Sequence, residues 1–291
     1  MSRFSLIYIG CFLLLLSIFS FFNIIYSYYF NIFLNVDAYT YSFFISLTLG
    51  FFAIFFKKIT YKKISIYEKI ITVLFGYLFF PLIISIPFYL SINNISILNS
   101  YFEAVSGFTS TGFTVFENIR QIDTSLILWR SSSQWIGGLY FLFSLLLLID
   151  VFDENLKKSI TNYISFNSSE IVKQSLKIIV LYSVLTLIIF LLLKLINLRT
   201  FDAYNFSLTI ISSGGFLSVN NFDNLFNSDI SKIILSVTII FSYFSLFFTY
   251  NLFFFSKKRI NYLSEDFYLF IYIAIIISII FVFFNFDNNF L

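Results

Sequence analysis

Histidine is absent from these 291 residues, and cysteine occurs once, as Cys11 inside an apolar run. That excludes disulfides within the chain, His-containing metal centres and Cys/His nucleophilic catalysis. Charge is scarce too: Asp, Glu, Lys and Arg make up 11% of the chain, against about 25% in a typical soluble domain. There is no basic tract of the kind that binds nucleic acid. Proline occurs twice and glycine nine times, the latter less than half the usual ~7%. What remains is hydrocarbon: 59% of residues are hydrophobic and the mean hydropathy is +0.91. A water-soluble enzyme of this size has no way to bury that much apolar surface. No acid/base pair, metal cluster or nucleophile constellation appears, so neither enzymatic activity nor a cofactor is expected. The 45 Phe and 20 Tyr read in part as biased codon usage and are set aside as a functional signal. The composition is that of an integral membrane protein.

A bilayer-crossing helix needs about 20 mostly apolar residues. Seven runs qualify: Phe4–Phe30, Ala38–Phe56, Ile70–Ile92, Ser125–Ile149, Ile178–Ile196, Ile233–Phe255 and Phe267–Phe284. The first is too long for a signal peptide and lacks a small-residue cleavage site, so it reads as a retained span. Pro81 and Pro87 both fall in the third, where a membrane helix tolerates them. Basic residues set the orientation. Thirteen of the 18 Lys and Arg lie at the N-terminus or in the segments 57–69, 150–177 and 256–266. That side is expected to be cytoplasmic, with the N-terminus inside.

The two long outward segments, 93–124 and 197–232, do not read as plain surface loops. Each contains an aromatic-acid-alanine triplet, Phe102-Glu103-Ala104 and Phe201-Asp202-Ala203, followed by a hydroxyl and glycine cluster. The first cluster contains Thr109, Ser110, Thr111, Gly112 and Phe113; the second contains Ser212, Ser213, Gly214, Gly215 and Phe216. Four of the nine glycines fall in these two loops, and two more, Gly137 and Gly138, in the next span. A short helix that descends partway and an extended strand that returns would account for this. Irregular backbone at such depth must be buried in protein or line an aqueous cavity. Its carbonyl oxygens can then replace the hydration shell of a cation, and the helix C-terminus adds partial negative charge. The expected fold is an all-α polytopic membrane protein, about seven transmembrane helices with two re-entrant pore loops.

The stretch Phe102 to Gly112 resembles the first pore loop of the Trk/Ktr/HKT superfamily of potassium transporters. Trp129-Arg130-Ser131-Ser132-Ser133-Gln134-Trp135-Ile136-Gly137-Gly138 is similar to that family's post-filter signature, and Phe201 to Ser218 resembles its second pore loop. Two leading spans point to the TrkH-type branch. The resemblance implies potassium uptake in a prokaryotic inner membrane, through four span–loop–span repeats around one pore. It implies a homodimer with a cytosolic nucleotide-binding regulatory subunit. It also implies potassium contacts at Thr111, Gly112, Ser213 and Gly214, with Gly112 and Gly214 as the selectivity glycines and Gly215 the alternative to the latter. By analogy with the family's plant members, glycine rather than serine at 112 is expected to favour potassium over sodium. The implied organisation is two helices over 1–60, repeats over 61–156 and 157–260, and the first span of a third repeat over 261–291. The sequence ends where a third loop is expected. The chain is therefore expected to be incomplete as a transporter, pairing with a second copy or with a chain carrying the missing repeats. The alternative is a non-conducting truncated or split subunit acting only in assembly.

Glu103 and Asp202 are expected to cap the pore helices. Arg130 lies roughly 8 Å inside the fourth span at 1.5 Å per residue; it either snorkels outward or, with Gln134 one turn on, holds the first pore loop. Gly137 and Gly138 would let that loop's helix pack closely. Lys194 and Arg199 read as interface anchors. The topology is testable in a Cys11→Ser background. A membrane-impermeant thiol reagent applied from outside should label Asn118→Cys and Asn221→Cys and miss Lys63→Cys; the reverse pattern contradicts the orientation.

Overall fold

A computed structural model of the chain describes residues 3–55, 65–148, 171–219, 226, 228–243 and seven positions between 268 and 278. It divides into two compact units, Met1–Ser242 and Tyr243–Leu291. In the second, the described residues, among them Tyr268, Tyr272 and Ile275, are helical. The first is built from α1 (Arg3–Tyr29), α2 (Val36–Phe55), α3 (Ile66–Ser91), α4 (Ile97–Phe108), α5 (Thr124–Leu148), α6 (Ile171–Leu195), α7 (Thr200–Ile211) and α8 (Asp229–Tyr243).

Length separates these helices into two kinds. Four of those described, Leu6–Tyr29, Val36–Phe55, Ile66–Ser91 and Leu176–Leu195, are long and apolar enough to cross a membrane. At 25 residues α5 matches them in length, but it buries Arg130, Ser131, Ser132, Ser133 and Gln134. Its polar groups face protein, which is why it falls short on apolarity alone. The expected span at 233–255 is described only to residue 243, and the one at 267–284 only in part; the remainder, like segments 57–64 and 150–170, lies outside the described residues. By contrast α4 and α7 have 12 residues each, about 18 Å. That reaches roughly halfway through a ~30 Å hydrocarbon core, so the chain has to turn back.

Local signals start and bend these helices. Ser65 caps α3, accepting from Glu68 N at 3.2 Å, and Ser96 caps α4, accepting from Asn99 N at 3.1 Å. Pro87 lacks the N–H that would bond the Ile83 carbonyl. Ser42 of α2 donates to that oxygen instead, at 3.3 Å, and Trp129 of α5 donates to the neighbouring Ile84 carbonyl at 3.0 Å. Near Pro81, the Tyr101 hydroxyl donates to the Leu78 carbonyl at 3.0 Å. The proline-containing helix is thus tied to α2, α4 and α5 through backbone oxygens near its prolines.

Helix α4 packs between α3 and α5, and α7 between α6 and α5, while α1 and α2 pack on each other with α1 also against α3 and α5. Phe80, Phe108 and Tyr140 form a buried aromatic knot, with Phe108 5.5 Å from Phe80 and 5.2 Å from Tyr140 between ring centroids. Tyr140 donates to the Val73 carbonyl at 3.0 Å, across the gap left by Gly76. This knot fixes the C-terminal end of α4. Replacing Ser42 by Ala should cost about 1–3 kcal/mol by orphaning the Ile83 carbonyl. Adding Pro87→Ala should recover most of the loss, because the new N–H reaches that oxygen; thermal unfolding in detergent measures both. Additive losses would contradict the assignment.

Candidate functional site

The two short helices end in the same way. After Phe108, Thr109 is the C-cap and Ser110 turns left-handed at φ 56°; after Ile211, Ser212 is the C-cap and Ser213 turns left-handed at φ 54°. In the first turn Ser110 N donates to Gly107 O and Thr111 N to Ser106 O, both at 3.0 Å. In the second Ser213 N donates to Ile210 O at 3.0 Å and Gly214 N to Thr209 O at 2.7 Å. These paired bonds are a Schellman motif, twice over. Glycine is the usual left-handed residue there; serine occupies it both times, a strained choice of the kind found at functional sites.

Residue for residue, Thr109–Phe113 therefore matches Ser212–Phe216. This corrects the register by one: the partner of Gly112 is Gly215, and Gly214 matches Thr111. Contact agrees. A methyl group on Gly112 would lie 2.5 Å from Gly215 Cα, and one on Gly215 3.2 Å from Gly112 Cα. Gly112 is also left-handed, at φ 81°, so both conformation and crowding demand glycine there. Thr109, Thr111, Ser213 and Gly215 are exposed around this contact. The Thr109 and Thr111 hydroxyls lie 2.7 Å apart, and Ser110 Oγ is buried without a partner.

Behind both loops stands one face of α5, made by Arg130, Gln134, Gly137 and Gly138 at i, i+4, i+7 and i+8. Arg130 Nε donates to Glu103 Oε1 at 2.8 Å, with side-chain exposures of 1% and 0%. Its other nitrogens reach Thr114 Oγ1 at 3.1 Å and the Leu217 carbonyl at 3.5 Å. The guanidinium also lies 4.1 Å from the Phe216 ring centroid, a cation–π contact. Arg130 thus touches both loops, and the snorkelling alternative is excluded. The Gln134 amide serves the second loop, not the first: with its oxygen toward the loop it accepts from Gly215 N at 3.1 Å and Phe216 N at 3.2 Å. A methyl on Gly214 would collide with that amide. The glycine pair is likewise divided. A side chain at Gly137 would strike the Phe108 carbonyl ending α4, and one at Gly138 would meet Ser212 Cβ at 2.8 Å, at the end of α7.

The two acids do not cap their helices as expected. Glu103 lies mid-helix in α4, whose cap is Ser96. It accepts from Thr114 Oγ1 at 3.0 Å and Val115 N at 3.0 Å. Asp202 is in the first turn of α7, where it accepts from Arg199 Nε at 3.0 Å and Ser218 Oγ at 2.8 Å. In the corrected register Val115 matches Ser218, and the acids sit one helical turn apart on equivalent faces. Both tie the returning strand to its pore helix. The loops are unequal in one respect: Phe216 is 2% exposed beneath Arg130, whereas Phe113 is 69% exposed.

Among the described residues no three His, Cys, Asp or Glu stand together as a metal site. What the loops present instead is backbone and hydroxyl oxygen, at the partially negative ends of two helices. Oxygen-rich loops of this kind can take a cation.

This arrangement defines a multi-pass membrane protein with paired pore loops. No family model matches the chain. It is 24% identical, with a TM-score of 0.67, to the crystal structure of the potassium transporter TrkH from Vibrio parahaemolyticus, covering 82% of this chain and 49% of that one; this likeness establishes the fold. An uncharacterised cation transporter of Methanocaldococcus jannaschii is 29% identical over 185 residues, 60% of this chain and 37% of its own length. The Trk system potassium uptake protein TrkI of Halomonas elongata is 40% identical over 55 residues, 19% of this chain and 11% of its own. The corresponding TrkH of V. parahaemolyticus is 36% identical over 56 residues, 19% and 12%. The chain spans half or less of the length of these relatives.

Removing one partner of a buried ion pair costs about 3–5 kcal/mol. Arg130→Gln should therefore destabilise the chain by that order, and Arg130→Gln with Glu103→Gln by clearly less, as read by thermal unfolding. Additive losses would show that the two side chains act separately.

Proposed function

We propose that the chain takes part in potassium uptake across the bacterial inner (plasma) membrane, as a Trk-type subunit with a cytoplasmic N-terminus. The observation that carries this is the face-to-face approach of Gly112 and Gly215 at the ends of two matched pore helices. On this reading the ion contacts backbone oxygens of Thr111 and Gly112 from one loop and of Gly214 and Gly215 from the other, with Thr109, Ser110, Ser212 and Ser213 shaping the turns. Phe113 and Phe216 flank the filter. The protein does no covalent chemistry and uses no cofactor.

Coordination sets the demand on partners. A cation leaving water needs a near-complete shell of oxygens, because partial coordination does not return its hydration energy. Two loops supply part of that shell. The remainder comes from further repeats or from a second copy, with a cytosolic nucleotide-binding subunit as regulator.

The test is growth of a potassium-uptake-deficient bacterium at low external potassium. One arm carries the chain alone and the other adds the missing repeats on a second chain. Growth is expected in the second arm, weakened by Gly112→Ser and, with less disturbance of packing, by Thr111→Val. No growth in either arm at normal membrane levels contradicts the reading. Growth indifferent to both substitutions contradicts the assigned filter.

A further inference from the structure

A cavity of about 360 Å³ lies between α1, α5, α6 and α7, beneath the second pore helix. Its walls include Trp135, Ser183, Thr186, Leu187, Phe190 and Tyr204. Of the four hydroxyls on its α6 and α7 walls, those of Thr186 and Ser207 are engaged within the protein. Thr186 donates to the Tyr182 carbonyl at 2.8 Å and accepts from Trp135 Nε1 at 3.0 Å; Ser207 donates to the Tyr204 carbonyl at 2.7 Å. The rest of the lining is largely hydrocarbon, with Ser183 and Tyr204 exposed, which suits an apolar chain better than water. The cavity is open on the side where Leu187 and Tyr204 are 55% and 43% exposed.

At one end this apolar surface meets a cation. Ser183, Leu187, Phe190 and Lys194 follow one another at i, i+4, i+7 and i+11, a single face of α6. The Lys194 ammonium donates to the Leu198 carbonyl at 2.9 Å and to Thr200 Oγ1 at 3.2 Å, both neutral oxygens. Thr200 stands one turn above Tyr204 on α7, so the ammonium sits at the head of the cavity's own wall. Arg199 lies nearby with 66% of its side chain exposed, but Asp202 offsets its charge. A greasy cleft ended by a cation that no carboxylate among the described residues neutralises is complementary to a lipid with an anionic head.

We propose that this cleft binds an anionic phospholipid from the leaflet on the side where α7 begins, its acyl chain against Trp135 and Tyr204 and its phosphate at Lys194. The lipid would brace the outward side of α7, whose other side is held by α5. This rests on membrane embedding and not on the ion pathway, so its test reads binding rather than transport.

The chain has two tryptophans, and Trp129→Phe leaves Trp135 as the reporter. That variant is placed in phosphatidylcholine nanodiscs containing rising fractions of phosphatidylglycerol or phosphatidylcholine brominated on the acyl chains. Quenching of Trp135 should saturate, reaching half its maximum at an about fivefold lower fraction of phosphatidylglycerol, the effect of one lysine beside an anionic surface. Lys194→Gln should abolish that preference. Ser183→Phe, at an exposed wall position, should fill the cleft and reduce quenching by both lipids, with unchanged size-exclusion elution as the folding control. Equal quenching by the two lipids overturns the proposal, as does a preference that survives Lys194→Gln or quenching that survives Ser183→Phe. An unquenched Trp135, the outcome if a second copy covers the cleft, overturns it as well.

Discussion

The ion pair between Glu103 and Arg130 is the constraint on which the rest of this structure depends. Two charges with almost no solvent access are tolerable only when each is neutralised and hydrogen-bonded. Here both are, because Thr114, Val115, Leu217 and Phe216 supply the remaining contacts. Those partners come from both re-entrant loops. Satisfying one buried charge therefore fixes the two returning strands relative to each other, and with them the separation of Gly112 and Gly215. The energetic demand of a buried charge becomes a geometric specification of how the two loops meet.

Helix α5 carries that specification along its length. Arg130 holds the strands, Gln134 accepts from the second loop, and the adjacent glycines admit one pore helix each. It belongs in sequence to the first span–loop–span unit, yet much of what it positions is the second. In this way α5 forms the wall behind the second loop. The consequence is visible in the matched aromatics: Phe216 has such a wall and is buried, and Phe113, for which the described chain provides none, is not.

Much of the fold was legible in the sequence because its cause is one-dimensional. Runs of apolar residues, the break at Ser-rich 131–133 apart, mark the long helices. Scarce glycine collected beside Ser and Thr marks the two turns. The errors arose where a local pattern stood in for a long-range contact. The shared Phe-acid-Ala triplets suggested equivalent caps, yet Glu103 is aligned with Phe206 and bonds a residue 27 positions away. The doublet Gly214-Gly215 left the register open by one, since either glycine fits a turn. Only the left-handed serines and the approach to Gly112 decide it. Gln134 and Gly138 were expected to serve the first loop because it is nearer in sequence. Their spacing with Arg130 and Gly137 on one helical face was the available signal that a second surface was being served.

On the proposed function, Gly112 and Gly215 bring backbone oxygens to a common monovalent cation. Crystals of the chain, or of its complex with the remaining repeats, grown with thallium in place of potassium test this most directly by anomalous diffraction. The account predicts a peak between the two loops, within coordination distance of the carbonyls of residues 111–112 and 214–215, that is lost when Arg130 is replaced. Density confined to other surfaces, with these loops intact and unoccupied, would contradict it.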